Sequence, residues 1–122
     1  MVEIAIKRVY NQAQGTDGAR VLVDKVWPRG VRKSDLEMDA WYKDLAPSTD
    51  LRKWFNHDAE KWSEFRKDYL KELKAQRTLA KKLLEEQKRG RITLLYAAKD
   101  ESHNHALVLR DYLNKLGDPN KS

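Results

Sequence analysis

The stretch RITLLYAA, residues 91–98, decides the class of fold that this chain adopts. Its apolar residues follow one another almost without a break, whereas a strand with one face in water alternates apolar with polar residues. Strands that are buried on both faces are typical of parallel sheets whose faces are covered. The stretch therefore predicts a strand in a small, mostly parallel sheet.

Two further strands are predicted in the N-terminal third of the chain. Alternation of apolar with other residues predicts a strand over residues 2–10. A run of β-forming residues predicts another over residues 20–27, which Pro28 ends because proline cannot continue the hydrogen-bond ladder. Residues 38–45 fit either a short strand or a helical turn, and the pattern leaves both open.

Helical periodicity fills much of the region between the strands. Ser48 or Thr49 is the predicted cap of a short helix that runs through Phe55. A much longer apolar face follows Asp58. Because about 30 residues is long for a globular helix, a break is predicted near residues 76–78.

The length is that of a single domain, and the order of predicted strands and helices favours the α/β class. The 122 residues suffice for one domain over residues 1–122, with a small, mostly parallel sheet covered by helices. Cysteine is absent, which excludes disulfides and thiolate chemistry. No apolar run approaches the ~20 residues of a membrane span, and no signal peptide is recognisable, so we expect a cytoplasmic protein. Residues 118–122 are expected to be frayed.

Two of the predicted strands lead into polar segments. The strand over residues 20–27 carries Asp24, an acid that is costly to bury unless it is paired, and it delivers Arg29 and Gly30 at its end. If this strand runs parallel to residues 91–98, both exits lie at one edge of the sheet. Open α/β sheets usually bind their ligands at that edge, so the sequence predicts one polar site there.

The exit of the later strand adds a helix start to this site. The last helix is predicted to begin near Ser102 or His103, where unpaired N–H groups suit an anion, although a side-chain cap explains the same residues. The guanidinium of Arg29 can bind two oxygens of such an anion. The candidate ligand-binding residues are Trp27, Arg29, Gly30, Lys99 and Asn104.

Acid–base chemistry is the second prediction for this edge. Imidazole titrates near neutral pH, and Asp24 is the natural carboxylate to orient a histidine. In the alternative interpretation, Asp24 only ties a loop. A three-histidine metal site is not predicted, because His103 and His105 would lie on nearly opposite faces of a helix. The candidate catalytic residues are Asp24, His57 and His105; no metal or cofactor is assigned.

The charge of the chain is unevenly distributed. Twenty-five basic and 19 acidic residues leave a net charge of +6, and residues 1–33 hold seven of the basic residues but three of the acidic ones. Such an excess suits an anionic ligand or nucleic acid, and Trp27 would then stack on a base. Tryptophan is more often part of a core or lid. The seven basic residues are Lys7, Arg8, Arg20, Lys25, Arg29, Arg32 and Lys33.

Six motifs connect the chain to a known family. They are KRVY (7–10), VLVDKVWPRG (21–30), DLAPS (44–48), LRKWFNHD (51–58), TLLYAA (93–98) and NHA (104–106). In this combination they resemble the YeaO-like branch of the "domain of unknown function 488" family. The resemblance implies a compact cytoplasmic α/β domain and no established activity. In larger relatives a Cys-His-Arg-like sequence follows the last strand, where this chain has SHNH (102–105) and no cysteine.

Three functions are compatible with these observations. The leading hypothesis is an anion-binding pocket at the carboxyl ends of the strands, in a protein that is hydrolase-like or transferase-like. The alternatives are a nucleic-acid-binding module that uses the basic N-terminal third and a non-catalytic interaction domain. A small anionic ligand is the favoured partner over nucleic acid, and no membrane partner is expected. The substrate, the reaction and the oligomeric state do not follow from the sequence.

Overall fold

A computed structural model describes residues 3–87 and 90–117. In these residues, four parallel strands form one sheet in the order β1-β4-β2-β3, and four α-helices accompany it. The predicted α/β class and the parallel sheet are confirmed. The elements are β1 (Glu3–Arg8), β2 (Ala19–Leu22), β3 (Ala40–Trp41), α1 (Thr49–Phe55), α2 (Trp62–Ala75), α3 (Arg77–Glu86), β4 (Arg91–Tyr96) and α4 (His105–Leu116).

Strand β4 lies between β1 and β2, and this position explains its continuous apolar sequence. Its register runs from Glu3 opposite Arg91 to Arg8 opposite Tyr96 on one side. On the other side, β2 pairs with it in parallel as far as Leu22 opposite Leu95. A strand with neighbours on both edges and packing on both faces has no residue that needs to meet water.

The two faces of the sheet are covered by different parts of the chain. Val21 and Leu94 belong to the core that all four helices share. Leu22 and Leu95 point the opposite way, because successive strand residues alternate between faces, and they pack in a smaller cluster with Trp27 and Trp41. The helices therefore cover one face, and residues 27–41 contribute most of the cover on the other.

Strand β2 ends at Leu22, so the predicted strand over residues 20–27 is wrong in its second half. The Val23 N–H still donates to the Leu95 carbonyl at 3.1 Å. The next ladder position is taken by a side chain instead, because Asp24 Oδ2 accepts from the Ala97 N–H at 3.0 Å. This bond ends β2 and also stops β4 at Tyr96, two residues short of its predicted end.

The segment left open over residues 38–45 contains both predicted structures. Strand β3 spans Ala40–Trp41 and is followed by a 3₁₀ turn at Lys43–Leu45. Between them the Tyr42 N–H donates to the Leu22 carbonyl at 2.9 Å. This short edge strand brings the chain back along β2 and leads it into α1.

The helix boundaries follow the predicted signals in the middle of the chain. Helix α1 begins behind Ser48, whose Oγ accepts from the Leu51 N–H at 3.2 Å. The long apolar face breaks at Gln76, between α2 and α3. The predicted frayed tail, residues 118–122, lies outside the described residues. Within the described chain, no helix is long and apolar enough to cross a membrane.

Candidate functional site

A cavity of about 420 Å³ opens at the carboxyl edge of β2 and β4. This volume lies in the range of small-molecule pockets. The loop after β2, the C-terminal end of α1 and the segment that precedes α4 line it. Parallel pairing of β2 with β4 brings the two strand exits together here, as the sequence analysis expected.

An aspartate–histidine pair lies in the lining of the cavity. His105 Nε2 is 3.0 Å from Asp24 Oδ1 and 3.1 Å from the Val23 carbonyl oxygen. Because a carbonyl oxygen only accepts hydrogen bonds, Nε2 must carry a hydrogen. The two side chains retain 15 % and 14 % of their exposure, respectively. The pair thereby joins the end of β2 to the first residue of α4.

The contact between the two side chains is electrostatic rather than a well-aligned hydrogen bond. The N–H of His105 points at the Val23 carbonyl, and Asp24 Oδ1 has no aligned donor in the described residues. Buried carboxylate oxygens normally have at least one donor. The other oxygen of Asp24, Oδ2, accepts a hydrogen bond from the Ala97 N–H. Asp24 therefore presents a partly compensated negative charge beside the imidazole.

Tyr69 supports this pair from helix α2. Its ring lies edge-on to the His105 ring, with centroids 6.3 Å apart, and its hydroxyl donates to the Leu45 carbonyl at 2.6 Å. Complete burial raises the pKa of Tyr69 well above its usual value, and the carboxylates of Glu72 and Asp24 act in the same direction. The hydroxyl therefore stays neutral, and the Tyr69 ring packs against the imidazole of His105.

Three cations line the cavity: Lys25 after β2, and Arg52 and Lys53 on α1. Among the described residues, none of the three side chains has a hydrogen-bonding or ion-pair partner. Asp24 is the lining carboxylate in this part of the chain, so the lining carries a net charge of about +2 when its histidines are neutral. A concave surface with such a charge attracts anions.

His57 reaches the cavity from an unusual turn at the end of α1. Asn56 and His57 are consecutive non-glycine residues with positive φ angles of 44° and 57°. Such conformations cost free energy and occur often near binding sites. The turn is closed by the Asp58 N–H, which donates to the Phe55 carbonyl at 2.9 Å. In the described structure, His57 makes no hydrogen bond with the aspartate–histidine pair.

His103 also lines the cavity, held by a turn around Asp100. Asp100 Oδ1 accepts from the N–H groups of Ser102 and His103 at 2.8 and 3.0 Å, and Oδ2 lies 3.0 Å from His103 Nδ1. The Ser102 N–H is the main cause of the lowered pKa of Asp100, and His103 adds to it. The helix start predicted at Ser102 or His103 is wrong, because this turn occupies those residues and α4 begins at His105.

The three histidines do not form a metal centre in the described chain. His57, His103 and His105 all contribute to the cavity lining. Within residues 3–87 and 90–117, however, no three histidine, cysteine or acidic side chains are grouped closely enough to hold a metal ion. The cavity is therefore described by its charge and its hydrogen-bonding groups.

The ligand-binding residues predicted from the sequence are only partly brought together. Asn104 lines the cavity but is 2 % exposed, and its amide caps α4. Its Oδ1 accepts from the Leu107 N–H at 3.2 Å, and its Nδ2 donates to the Asp100 carbonyl at 3.0 Å. The other four predicted ligand-binding residues lie outside the cavity lining: Trp27, Arg29, Gly30 and Lys99.

The Trp-Pro-Arg-Gly segment turns away from the cavity because of Trp27. Its indole packs edge-on against Trp41, with centroids 5.6 Å apart, and Nε1 donates to the Val31 carbonyl at 2.6 Å. Arg29 is exposed, and its carbonyl accepts from the Tyr10 hydroxyl at 3.0 Å. Arg52 lines the cavity, where Arg29 was predicted. The signal was present in the motif LRKWFNHD, which ends α1.

Part of the basic N-terminal third is used inside the fold. Lys7 Nζ lies 2.8 Å from Asp17 Oδ1, and Arg20 pairs with the other oxygen of that carboxylate. Arg8 Nε donates to the Ala98 carbonyl at 2.9 Å. Three of the seven basic residues within residues 1–33 therefore serve internal contacts rather than a free surface.

The Asp17 carboxylate is held ionised by these neighbours. Burial alone would raise the pKa of Asp17. Hydrogen bonds from Lys7, from the Gln14 N–H and from Arg20 outweigh burial and lower the pKa to about 2. The cluster ties β1 to β2 and to the segment that leads into it.

Comparison with known proteins covers nearly the whole chain. The family model described as "Inactive DUF488-N3 subclade" matches residues 3–121. The chain belongs to the DUF488 family. Within it, the chain is similar to the uncharacterized protein YeaO of Escherichia coli (strain K12), with 46 % identity over 115 residues, which is 94 % of this chain and 100 % of the relative.

A second similar protein comes from Mycobacterium tuberculosis. The uncharacterized protein Rv3073c of Mycobacterium tuberculosis (strain ATCC 25618 / H37Rv) is 40 % identical over 111 residues, which is 91 % of this chain and 93 % of the relative. No solved structure matches the chain. The resemblance to the YeaO-like branch of DUF488 proteins is thereby confirmed.

Proposed function

We propose that this DUF488 protein binds a small anionic ligand in the cavity between α1 and the Asp24–His105 pair. The observation that carries the proposal is the set of three cations around a cavity of about 420 Å³, whose side chains have no partner within residues 3–87 and 90–117. Two of them, Arg52 and Lys53, are neighbours on α1, and Lys25 follows β2. Cations that lack a protein partner are free to bind carboxylate or phosphate oxygens.

Arg52 is the central cation of this proposal. It is half-buried, whereas Lys53 is exposed. A guanidinium binds two oxygens of a carboxylate or phosphate in parallel, and a partly buried charge is less screened by water than a surface charge. Arg52 therefore contributes most of the binding free energy, and the lysines mainly raise the local concentration of anions.

Two observations support binding without turnover. The described lining residues include no serine, threonine, cysteine or tyrosine, so no hydroxyl or thiol nucleophile faces the cavity in that part of the chain. The matching family model is itself described as an inactive subclade. Both fit a protein that recognises a ligand and leaves its covalent bonds intact.

The test is calorimetric titration with inorganic phosphate, phosphate monoesters and small carboxylates. Arg52→Ala is expected to weaken binding at least about tenfold, because a hydrogen bond to a charged group contributes about 1.5–3 kcal/mol. Arg29→Ala removes the same charge from an exposed position outside the cavity and is the matched control. Equal effects of the two substitutions, or no binding of any anion, would refute the proposal.

A catalytic role is the second candidate, and the Asp24–His105 pair favours it. The fixed hydrogen on Nε2 leaves Nδ1 of His105 available to accept a proton from a reacting group. Hydrolase-like or transferase-like chemistry would use that atom. Nuclear magnetic resonance of phosphate and carboxylate esters incubated with the protein decides between the candidates: product formation that His105→Asn abolishes would support catalysis over binding alone.

A further inference from the structure

The cavity is polarised between the helix α1 side and the sheet edge. Two of the three cations, Arg52 and Lys53, lie on α1. The third, Lys25, follows Asp24 in the loop after β2, and the sheet edge also carries the carboxylate of Asp24 and the imidazole of His105. A second negative charge placed against Asp24 would be repelled. An anionic group in the cavity therefore lies toward α1, and another part of the ligand meets the sheet edge.

The hydrogen-bonding character of the sheet edge follows from His105. Its Nε2–H is committed to the Val23 carbonyl at 3.1 Å. In the neutral ring the other nitrogen, Nδ1, then carries a lone pair and accepts hydrogen bonds. In the described residues Nδ1 has no partner, and it is not among the buried atoms without one, so it is an accessible atom of a residue that lines the cavity. The sheet edge thus offers an acceptor.

Two of the donors near this acceptor are already in use. The Ala97 N–H donates to Asp24 Oδ2 at 3.0 Å. The Asn104 amide donates to the Asp100 carbonyl at 3.0 Å. A ligand that offered only acceptors at this edge would leave Nδ1 without a hydrogen bond, and a desolvated polar group without a partner is costly.

We infer that the ligand is an anion that also carries a hydroxyl or N–H donor, and that His105 Nδ1 accepts from this donor while the anionic group lies by Arg52. The inference rests on the proposed anion site and names the class of ligand that the site selects: hydroxy acids, amino-bearing acids, and phosphate esters of polyols. Simple carboxylates, which carry no donor when ionised, engage the cations alone. His105 is then the residue that determines specificity, and Asp24 is a positioning residue that acts through it.

Matched pairs of probes test this inference on the intact protein. Mandelate and phenylacetate differ by one hydroxyl group, and glycerol 3-phosphate and propyl phosphate differ by two. Sites that hydrogen-bond a hydroxyl group discriminate strongly against the analogue without it. The hydroxylated member of each pair is expected to bind at least about tenfold more tightly in calorimetric titration.

Two substitutions of His105 locate the acceptor. The side-chain nitrogen of His105→Gln can replace the Nε2–H toward Val23, but no atom replaces Nδ1, so the preference for hydroxylated probes is expected to disappear while phenylacetate still binds. The side-chain oxygen of His105→Asn lies near the position of Nδ1, and it is expected to keep part of the preference. Circular dichroism and thermal melting establish that each variant is folded before titration.

The outcomes separate the two proposals. Equal affinity for both members of each pair in the wild-type protein overturns the inference about the donor and leaves the anion site intact. A preference that survives in His105→Gln overturns the assignment to Nδ1. Failure of every probe to bind, with Arg52→Ala indistinguishable from wild type, refutes the anion site itself.

Discussion

Substitution of Asp24 by alanine should destabilise the protein more than its single small side chain suggests. The carboxylate joins the two strand exits, since Oδ2 accepts from the Ala97 N–H at 3.0 Å and Oδ1 lies 3.0 Å from His105 Nε2. Only 14 % of the side chain is exposed. Removal of the carboxylate therefore leaves an N–H group that water reaches poorly.

The magnitude can be worked out from these contacts. A buried donor left without its acceptor costs about 1–3 kcal/mol. Loss of the electrostatic contact with the N–H of the neutral His105 ring adds less than about 1 kcal/mol, the upper value for exposed ion pairs. The unaligned Oδ1 offsets part of this cost, because its own burial is unfavourable in the wild-type protein. We expect a net loss of about 2–3 kcal/mol from the free energy of unfolding.

Urea unfolding, followed by circular dichroism and tryptophan fluorescence, measures this loss. With a slope of about 2 kcal/mol/M, the midpoint of Asp24→Ala should fall by about 1–1.5 M. Asp24→Asn is the matched control: its amide oxygen still accepts from Ala97, so its loss should stay near 1 kcal/mol. An alanine variant within about 0.5 kcal/mol of wild type, or an asparagine variant that is equally damaged, would refute the structural role assigned to Asp24.

Three further predictions concern acid, backbone and partner. Stability that depends on ionised Asp17 is present above its unfolded pKa of 3.8 and is lost as pH falls toward about 2; after screening it amounts to about 1–2 kcal/mol, and acid unfolding of Asp17→Asn should lack this component. Gly18→Ala places a Cβ 2.1 Å from the Arg91 carbonyl oxygen, so its melting temperature should fall far more than that of Gly30→Ala, where the same positive φ faces open space. Fluorescence anisotropy with single-stranded and duplex DNA and RNA should show no tight, salt-dependent binding; a steep salt slope abolished by Arg29→Ala would instead favour the nucleic-acid module.

The elements of the fold were predictable where the signal is local. The unbroken apolar run of β4 indicated a strand with both faces covered, and the parallel register confirms it. Ser48 caps α1, and the long helical face breaks at Gln76, inside the predicted window. Caps and apolar periodicity act between residues only a few positions apart, so the sequence displays them directly.

The end of β2 was harder to predict because a distant residue decides it. Val26 and Trp27 have the β-forming character of strand residues, yet Val26 is 59 % exposed and Trp27 packs outside the sheet. The strand stops where Asp24 captures the Ala97 N–H, 73 positions away. The secondary-structure propensities of residues 20–27 carry no information about a contact with residue 97.

In the candidate site, too, some features follow from the local sequence and others depend on contacts between distant residues. A carboxylate in an apolar run needs a partner, so the pairing of Asp24 with a histidine was foreseeable in kind. The structure selects His105, because α4 begins at that residue and its ring meets the Val23 carbonyl. Arg29 was expected at the site because it follows the strand. Packing of Trp27 on Trp41 directs the loop that carries Arg29 to the other face of the sheet, so Arg29 does not reach the cavity. Arg52 on α1 lines the cavity instead.

The sequence by itself determined the parallel α/β class, the meeting of two polar strand exits at one edge and the DUF488 motifs. Each follows from short-range patterns and from the geometry that all parallel sheets share. Only the tertiary structure decided which histidine pairs with Asp24, which arginine lines the cavity and which cations are used inside the fold. Those choices depend on the face to which each loop turns, and side-chain packing between residues far apart in the chain sets that face.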